Sequence, residues 1–219
     1  MFITFEGIEG SGKTTQIEHL GDYLKNRGLA YFVTREPGGT RIGQSIRAIL
    51  LDPDNTNMDP ATELLLYTAD RIQHITQTIS PRLRDGQIVL CDRFFDATLV
   101  YQGFARGLDQ QQIIRLHELI CRNMKPDVTF LFDLPVEEGL ARAWHQIHNG
   151  DRSQAETRFE HEAIEFHQKV REGYLTLASR EPDRFEIIDA AQDREVVKAQ
   201  LISRLANRLD SLPKKSAEC

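Results

Sequence analysis

Phe2-Ile3-Thr4-Phe5, then Gly7-Ile8-Glu9-Gly10-Ser11-Gly12-Lys13-Thr14, is the stretch from which the rest of the chain is read. A short apolar run meets a glycine-rich turn closed by Lys-Thr, and an amphipathic segment predicted as a helix over 13–27 follows. Gly7, Gly10 and Gly12 let the backbone fold tightly. The N–H groups of Ile8, Glu9, Gly10, Ser11 and Gly12 then face inward at the positive end of a helix, a site suited to a phosphate. Lys13 is placed to neutralise β- and γ-oxygens, and Thr14 to ligate Mg²⁺.

Outward from this turn, apolar runs alternate with longer amphipathic ones. Phe2 to Phe5, Ala30 to Thr34, Ile88 to Cys91, Val128 to Phe132 and Phe185 to Ile188 read as strands. Helices are expected at 13–27, 41–51, 60–80, 97–106, 109–122, 136–147, 154–180 and 193–209. This rhythm predicts an α/β fold with a five-stranded parallel sheet and helices on both faces. Asp59-Pro60 reads as an N-cap with proline at the first helical position. Ser153 with Glu156 has the capping-box spacing, which would start a long helix near 154. In the 60–80 helix, Leu65, Ala69, Ile72, Thr76 and Ile79 share the face expected to meet the core, with Tyr67 and Arg71 well off it. The polar stretch from His145 to Arg152 reads as a lid.

Composition fits one globular domain. The chain has 219 residues, 40% hydrophobic and 27% charged, with a formal charge of −6 from 33 acidic and 27 basic side chains. That balance gives no global basic field for a nucleic-acid polymer. No run spans a bilayer and no signal peptide precedes the first strand, so an unexported, cytoplasmic protein without a membrane is expected. Cys91, Cys121 and Cys219 fall into no CxxC spacing and are expected as reduced thiols. His145, His148, His161 and His167 lack companions at zinc-ligand spacing. Residues 1–210 are read as a single domain with a lid near 142–160, and 211–219 as a disordered tail.

A phosphate loop needs a carboxylate for its metal. Asp92 and Asp133 both end apolar runs, and Asp92 is preferred because Arg93 follows it, so one strand end would supply a metal-side acid and a phosphate-side cation. A GTP switch is excluded by the lack of any DxxG and by Met124 where an NKxD segment needs asparagine. A small-molecule kinase needs instead a second site with cations for an acceptor phosphate. Tyr67 and Arg71 lie one helical turn apart, and Thr98, Tyr101 and Gln102 form a polar-aromatic face beyond Asp92-Arg93.

Gly7 to Thr15, Thr34-Arg35-Glu36-Pro37-Gly38-Gly39-Thr40, Glu63-Leu64-Leu65-Leu66-Tyr67 through Arg71, and Asp92-Arg93-Phe94 through Tyr101-Gln102-Gly103 occur in order over nearly the whole chain. Together they resemble thymidylate kinases of the bacterial type. The resemblance implies a three-layer P-loop nucleoside monophosphate kinase fold, a homodimer, and MgATP-dependent conversion of dTMP to dTDP in dTTP biosynthesis. Carried over by position, Arg71 and Arg93 hold the dTMP phosphate with support from Arg35, and Tyr67 replaces the usual phenylalanine on thymine. Thr98 and Gln102 face the base edge, Tyr101 crowds the sugar 2′ position, and Glu9 sits near the 3′-OH.

The chain departs from that pattern in three places. Phe94 and Ala97 stand where a tyrosine and a serine are usual; the lid pattern reads Thr157-Arg158-Phe159-Glu160; and the phosphate loop has no arginine. Arg152 and Arg158 are therefore the expected sources of the cation for the transferring phosphoryl group. The alternatives are a deoxynucleoside kinase or other nucleoside monophosphate kinase, against which three positioned cations and the thymidylate-type motifs argue, and an idle nucleotide-binding module.

Overall fold

The computed structural model describes residues 1–151 and 153–210. Five strands, β1 (Phe2–Glu6), β2 (Tyr31–Arg35), β3 (Ile88–Asp92), β4 (Val128–Asp133) and β5 (Phe185–Asp189), form one parallel sheet in the order β2-β3-β1-β4-β5. The three inner strands are the continuous apolar runs. All of β1 is buried, and β3 and β4 are buried except for their terminal aspartates, as a sheet covered on both faces requires. Edge strand β2 instead leaves Val33 and Arg35 exposed.

The helices are α1 (Lys13–Asn26), α2 (Arg41–Leu51), α3 (Pro60–His74), α4 (Ser80–Arg84), α5 (Phe95–Thr98), α6 (Gln110–Cys121), α7 (Val136–His148), α8 (Ile164–Arg180) and α9 (Arg194–Asp210). β1 pairs with β3 on one side and β4 on the other. The crevice beyond the carboxyl ends of these strands is where an open α/β sheet binds its ligand. Register brings functional residues there: Arg35 lies opposite Asp92, and Asp92 opposite Phe5.

Three expectations are corrected. The 60–80 helix is α3 followed by a π-helical turn (Ile75–Ile79) and α4. Pro81 has no N–H to continue the regular ladder, and the register changes there. The expected core face is only half right: Ile79 is fully buried and Ile72 packs against the core, but Leu65 is 57% exposed and Ala69 and Thr76 are exposed as well. The buried face of α3 is polar: Glu63, Asp70, Arg71 and His74 turn inward because each finds a partner there.

The 154–180 helix is also broken. Ser153 Oγ accepts the Ala155 N–H, but the turn it caps is a three-residue 3₁₀ segment, Gln154–Glu156, and α8 begins only at Ile164. Phe159, buried against Tyr101 and Phe166, pulls the intervening backbone out of helical register. Asp59 does cap α3, accepting from Ala61 and Thr62 N–H at 2.8 and 3.3 Å. Residues 211–219 and Arg152 lie outside the described residues.

Candidate active site

β1 ends at Glu6 and α1 begins at Lys13, and the loop between them turns on two glycines in particular. Gly7 has φ +141°, and a side chain there would meet the Phe132 carbonyl at 2.6 Å. Gly10, at φ +70°, lies so close to the Gly139 backbone of α7 that a Cβ would collide with it. Lys13 is buried, its Nζ donating to Gly7 O at 3.1 Å, Ile8 O at 2.9 Å and Ser11 Oγ at 3.1 Å. Burial, with the Arg93 charge second, lowers its pKa to about 8. The loop and Lys13 line a cleft of about 790 Å³, within the usual size for a small-ligand site.

Thr14 and Asp92 line the same cleft. Asp92 Oδ1 is buried and makes no hydrogen bond among the described residues. A buried oxygen without a donor and a residue bearing a hydroxyl, both lining one cleft, are of the oxygen chemistry that fits Mg²⁺. Asp133, the other carboxylate weighed for this role, is held by Arg171, with Nε and Nη2 donating to its two oxygens at 2.7 and 2.9 Å.

Arg93 follows Asp92 at φ +65°, a left-handed conformation that a non-glycine residue adopts at a cost. Its Nη2 donates to Glu9 Oε1 at 3.0 Å and its Nη1 to the Tyr174 hydroxyl at 3.1 Å, with the guanidinium 5.0 Å from the Tyr101 ring centre. Tyr101 Oη donates to the same Glu9 oxygen at 2.6 Å. His167 Nδ1 lies 3.3 Å from Glu9 Oε2. Burial alone would raise the Glu9 carboxyl, but Arg93, His167 and Tyr101 together hold it well below the usual carboxylate range.

Arg71 stands elsewhere in the cleft. It is 2% exposed; its Nε donates to Glu36 Oε2 at 2.8 Å, and its Nη2 to Thr98 Oγ1 at 2.8 Å and Phe94 O at 3.2 Å. Its charge is thus already matched, and it is joined to Thr98 rather than to Arg93. Arg35 lines the cleft without a hydrogen bond or ion pair among the described residues; burial first, and Arg47 second, lower its pKa. Tyr67, Thr98, Tyr101 and Gln102 line the wall beside them.

Arg158 is not brought to the phosphate loop. It is buried against Glu63, with Nη2 donating to that carboxylate and Nε to Leu50 O at 2.5 Å. Glu162, four residues on, takes Arg106 Nη2 at 2.5 Å. Residues 157–163 are not helical, so helical spacing does not set Arg158 over Glu162.

Sequence reasoning missed four residues. Arg47 of α2 lines the cleft and donates to Pro37 O at 3.0 Å and to both oxygens of Glu156, at 3.0 and 2.8 Å. Glu36 accepts from both Arg71 and His74. His167 and Tyr174 reach the site from α8. The 3.6-residue spacing that puts His167 and Tyr174 two turns apart was the available signal; nothing in sequence pointed them toward Glu9.

The thymidylate kinase family model matches residues 5–201. A thymidylate kinase of Desulfosudis oleivorans is 54% identical over 205 residues, covering 94% of this chain and 96% of the relative. One from Geobacter sulfurreducens is 52% identical over 208 residues, covering 95% and 97%. Among solved structures, thymidylate kinase from Ehrlichia chaffeensis superposes with a TM-score of 0.73 at 35% identity, covering 94% of this chain and 98% of that one.

Proposed function

This chain belongs to the thymidylate kinase family, and from that premise we propose how its own residues phosphorylate dTMP to dTDP with ATP as donor. The observation that carries the reading is one cleft holding two anion sites: the phosphate loop with Lys13, and Arg93 with Arg35 and Arg47 beyond it. The acceptor nucleophile is already an anionic phosphate oxygen. Positioning and charge neutralisation therefore suffice, and no strong base is needed.

On the donor side, the loop N–H groups would hold the β-phosphate, and the Lys13 charge would move from the loop carbonyls to the β- and γ-oxygens. Thr14 and Asp92 would hold Mg²⁺, which when bound neutralises the same oxygens. On the acceptor side, Arg93 and Arg35 would clamp the dTMP phosphate. Arg71, tied to Thr98 and charge-matched by Glu36, would instead stand at the base end with Tyr67 and Gln102. Glu9, kept ionised by Arg93, would face the sugar 3′-OH and hold the Tyr101 hydroxyl in place at the 2′ position.

The segment 142–160 is proposed as a lid over the donor, within a single domain spanning 1–210. Arg152 lies there and is the remaining candidate cation for the transferring group. A homodimer is supported by the exposed Leu65 and Ala69 of α3, which no element covers among the described residues. No helix among the described residues is long and apolar enough to cross a membrane, consistent with action in the cytoplasm. Following the reaction of ATP and dTMP by ³¹P NMR tests the assignment. Diphosphate signals of dTDP are expected in step with ADP; ADP with free phosphate and unchanged dTMP would refute acceptor phosphorylation.

A further inference from the structure

Glu63 does not line the cleft, yet it touches the residue that does. Gln102 and Glu63 are each 1% exposed, and Gln102 Nε2 donates to Glu63 Oε1 at 2.8 Å. Which way a buried glutamine amide faces is decided by its partner. A carboxylate at neutral pH has no hydrogen to give, so only the NH₂ of Gln102 can face it. The Gln102 carbonyl oxygen makes no hydrogen bond among the described residues and is left for the cleft.

Glu63 is itself held in one orientation. Arg158 Nη2 donates to Oε2, and Arg106 reaches both oxygens, Nε to Oε1 at 3.3 Å and Nη2 to Oε2 at 3.4 Å. Oε2 is thus held by two arginine donors, while Oε1 takes Arg106 Nε together with the Gln102 amide.

We propose that Glu63 is a positioning residue for base selection: by taking the Gln102 amide hydrogen it turns the Gln102 carbonyl toward the cleft, where that oxygen accepts from a ring N–H. Thymine carries such a hydrogen at N3, whereas cytosine presents a bare ring nitrogen that would meet the carbonyl oxygen as acceptor against acceptor. The inference rests on the dTMP reading above and adds the group that sets thymine against cytosine. Arg158 thereby acts on the base from a distance, through Glu63, rather than on the transferring phosphoryl group.

The test is Glu63→Gln. Because Oε2 takes two arginine donors and Oε1 only one, the new carbonyl oxygen would settle at the Oε2 position, so the NH₂ would face Gln102 and force that amide to turn over. The kcat/KM ratio of dTMP to dCMP should fall about tenfold or more through KM, with kcat for dTMP changed only a few-fold. Arg106→Met, which disturbs the same cluster but leaves an acceptor facing Gln102, should keep the wild-type ratio. An unchanged ratio in Glu63→Gln, or an equal change in Arg106→Met, would overturn the proposal. Should Glu63→Gln not fold, titration of the unaltered protein with N3-methyl-dTMP replaces it. Binding about tenfold weaker than dTMP is expected, and equal binding overturns the proposal. Failure of the unaltered protein to phosphorylate dTMP would count against the kinase reading alone, because dTMP and dCMP binding still report the amide orientation.

Discussion

Lys13 carries more than the charge its motif announces. A lysine closing a glycine-rich turn reads in sequence as an exposed cation, but it is buried and bonded to three acceptors of its own loop. Lys13→Ala should nevertheless change the melting temperature only modestly, since the loss of three hydrogen bonds is offset by removal of a buried charge that the fold disfavours. Turnover should fall much further, by about 10²-fold or more, the usual loss when one group stabilising transition-state charge is removed. Comparing circular-dichroism melts with dTDP formation separates the two effects; near-normal turnover would remove Lys13 from the mechanism. At the acceptor, Tyr67→Ala should weaken dTMP by roughly the 1–3 kcal/mol of base–aromatic stacking and spare ATP. Arg71→Ala should do the same more severely, because it also leaves Glu36 buried without its guanidinium. Calorimetric titrations showing equal losses for both nucleotides would make these residues structural only. The types and order of Lys13, Arg93, Tyr67 and Gln102 were legible from sequence. Their partners were not, because Glu9–Arg93, 84 residues apart, and Glu63–Arg158, 95 apart, are made by tertiary packing alone.

The strands were legible because the inner ones are continuous apolar runs, and apolar continuity is what a doubly covered sheet demands. Helix faces were less so. The periodicity of α3 marked an apolar stripe correctly, but a stripe says only which residues share a side, not whether the core or another surface meets it. Here the polar side won the interior, because Glu36, Thr98, Gln102 and the backbone of Gly38 could satisfy it. The end of β1 yields a prediction of its own. Glu6 is fully enclosed, accepting from Phe94 N–H at 2.8 Å and Tyr174 Oη at 2.7 Å, and burial, with Asp96 second, pushes its carboxyl up from 4.5 to about 8. The folded chain then holds a proton that the unfolded chain releases near 4.5. Stability from this group is complete below that pH and is lost as pH rises through about 8. Lys13 acts in a separate window with the opposite sign: its lowered value makes the unfolded chain the better proton binder between about 8 and 10.5, so stability rises there. Glu6→Gln, which mimics the protonated side chain, should flatten the fall between pH 5 and 8 in urea denaturation; an unchanged slope would contradict the assignment.

In the molecule as a whole, the proposed donor loop, acceptor clamp and base pocket share one cleft, built from the loop after β1, the end of β3 beside it in the sheet, and residues of α2 and α3. The opposite relation holds on the outside of α3, where Leu65 is left in solvent by a helix whose inward side is polar. If a second copy covers that face, Leu65→Glu should shift the sedimentation coefficient from dimer to monomer; a dimer that persists would place the interface elsewhere. The central claim, that this cleft passes the γ-phosphoryl of ATP to dTMP, is tested most directly by ADP release measured across dTMP, dUMP, dCMP, UMP and thymidine, with Lys13→Ala alongside. The account predicts the highest kcat/KM for dTMP, no turnover of thymidine, which offers no phosphate to Arg93 and Arg35, and collapse of the dTMP rate in Lys13→Ala. Preference for another monophosphate, turnover of thymidine, or an undiminished rate in Lys13→Ala would contradict it.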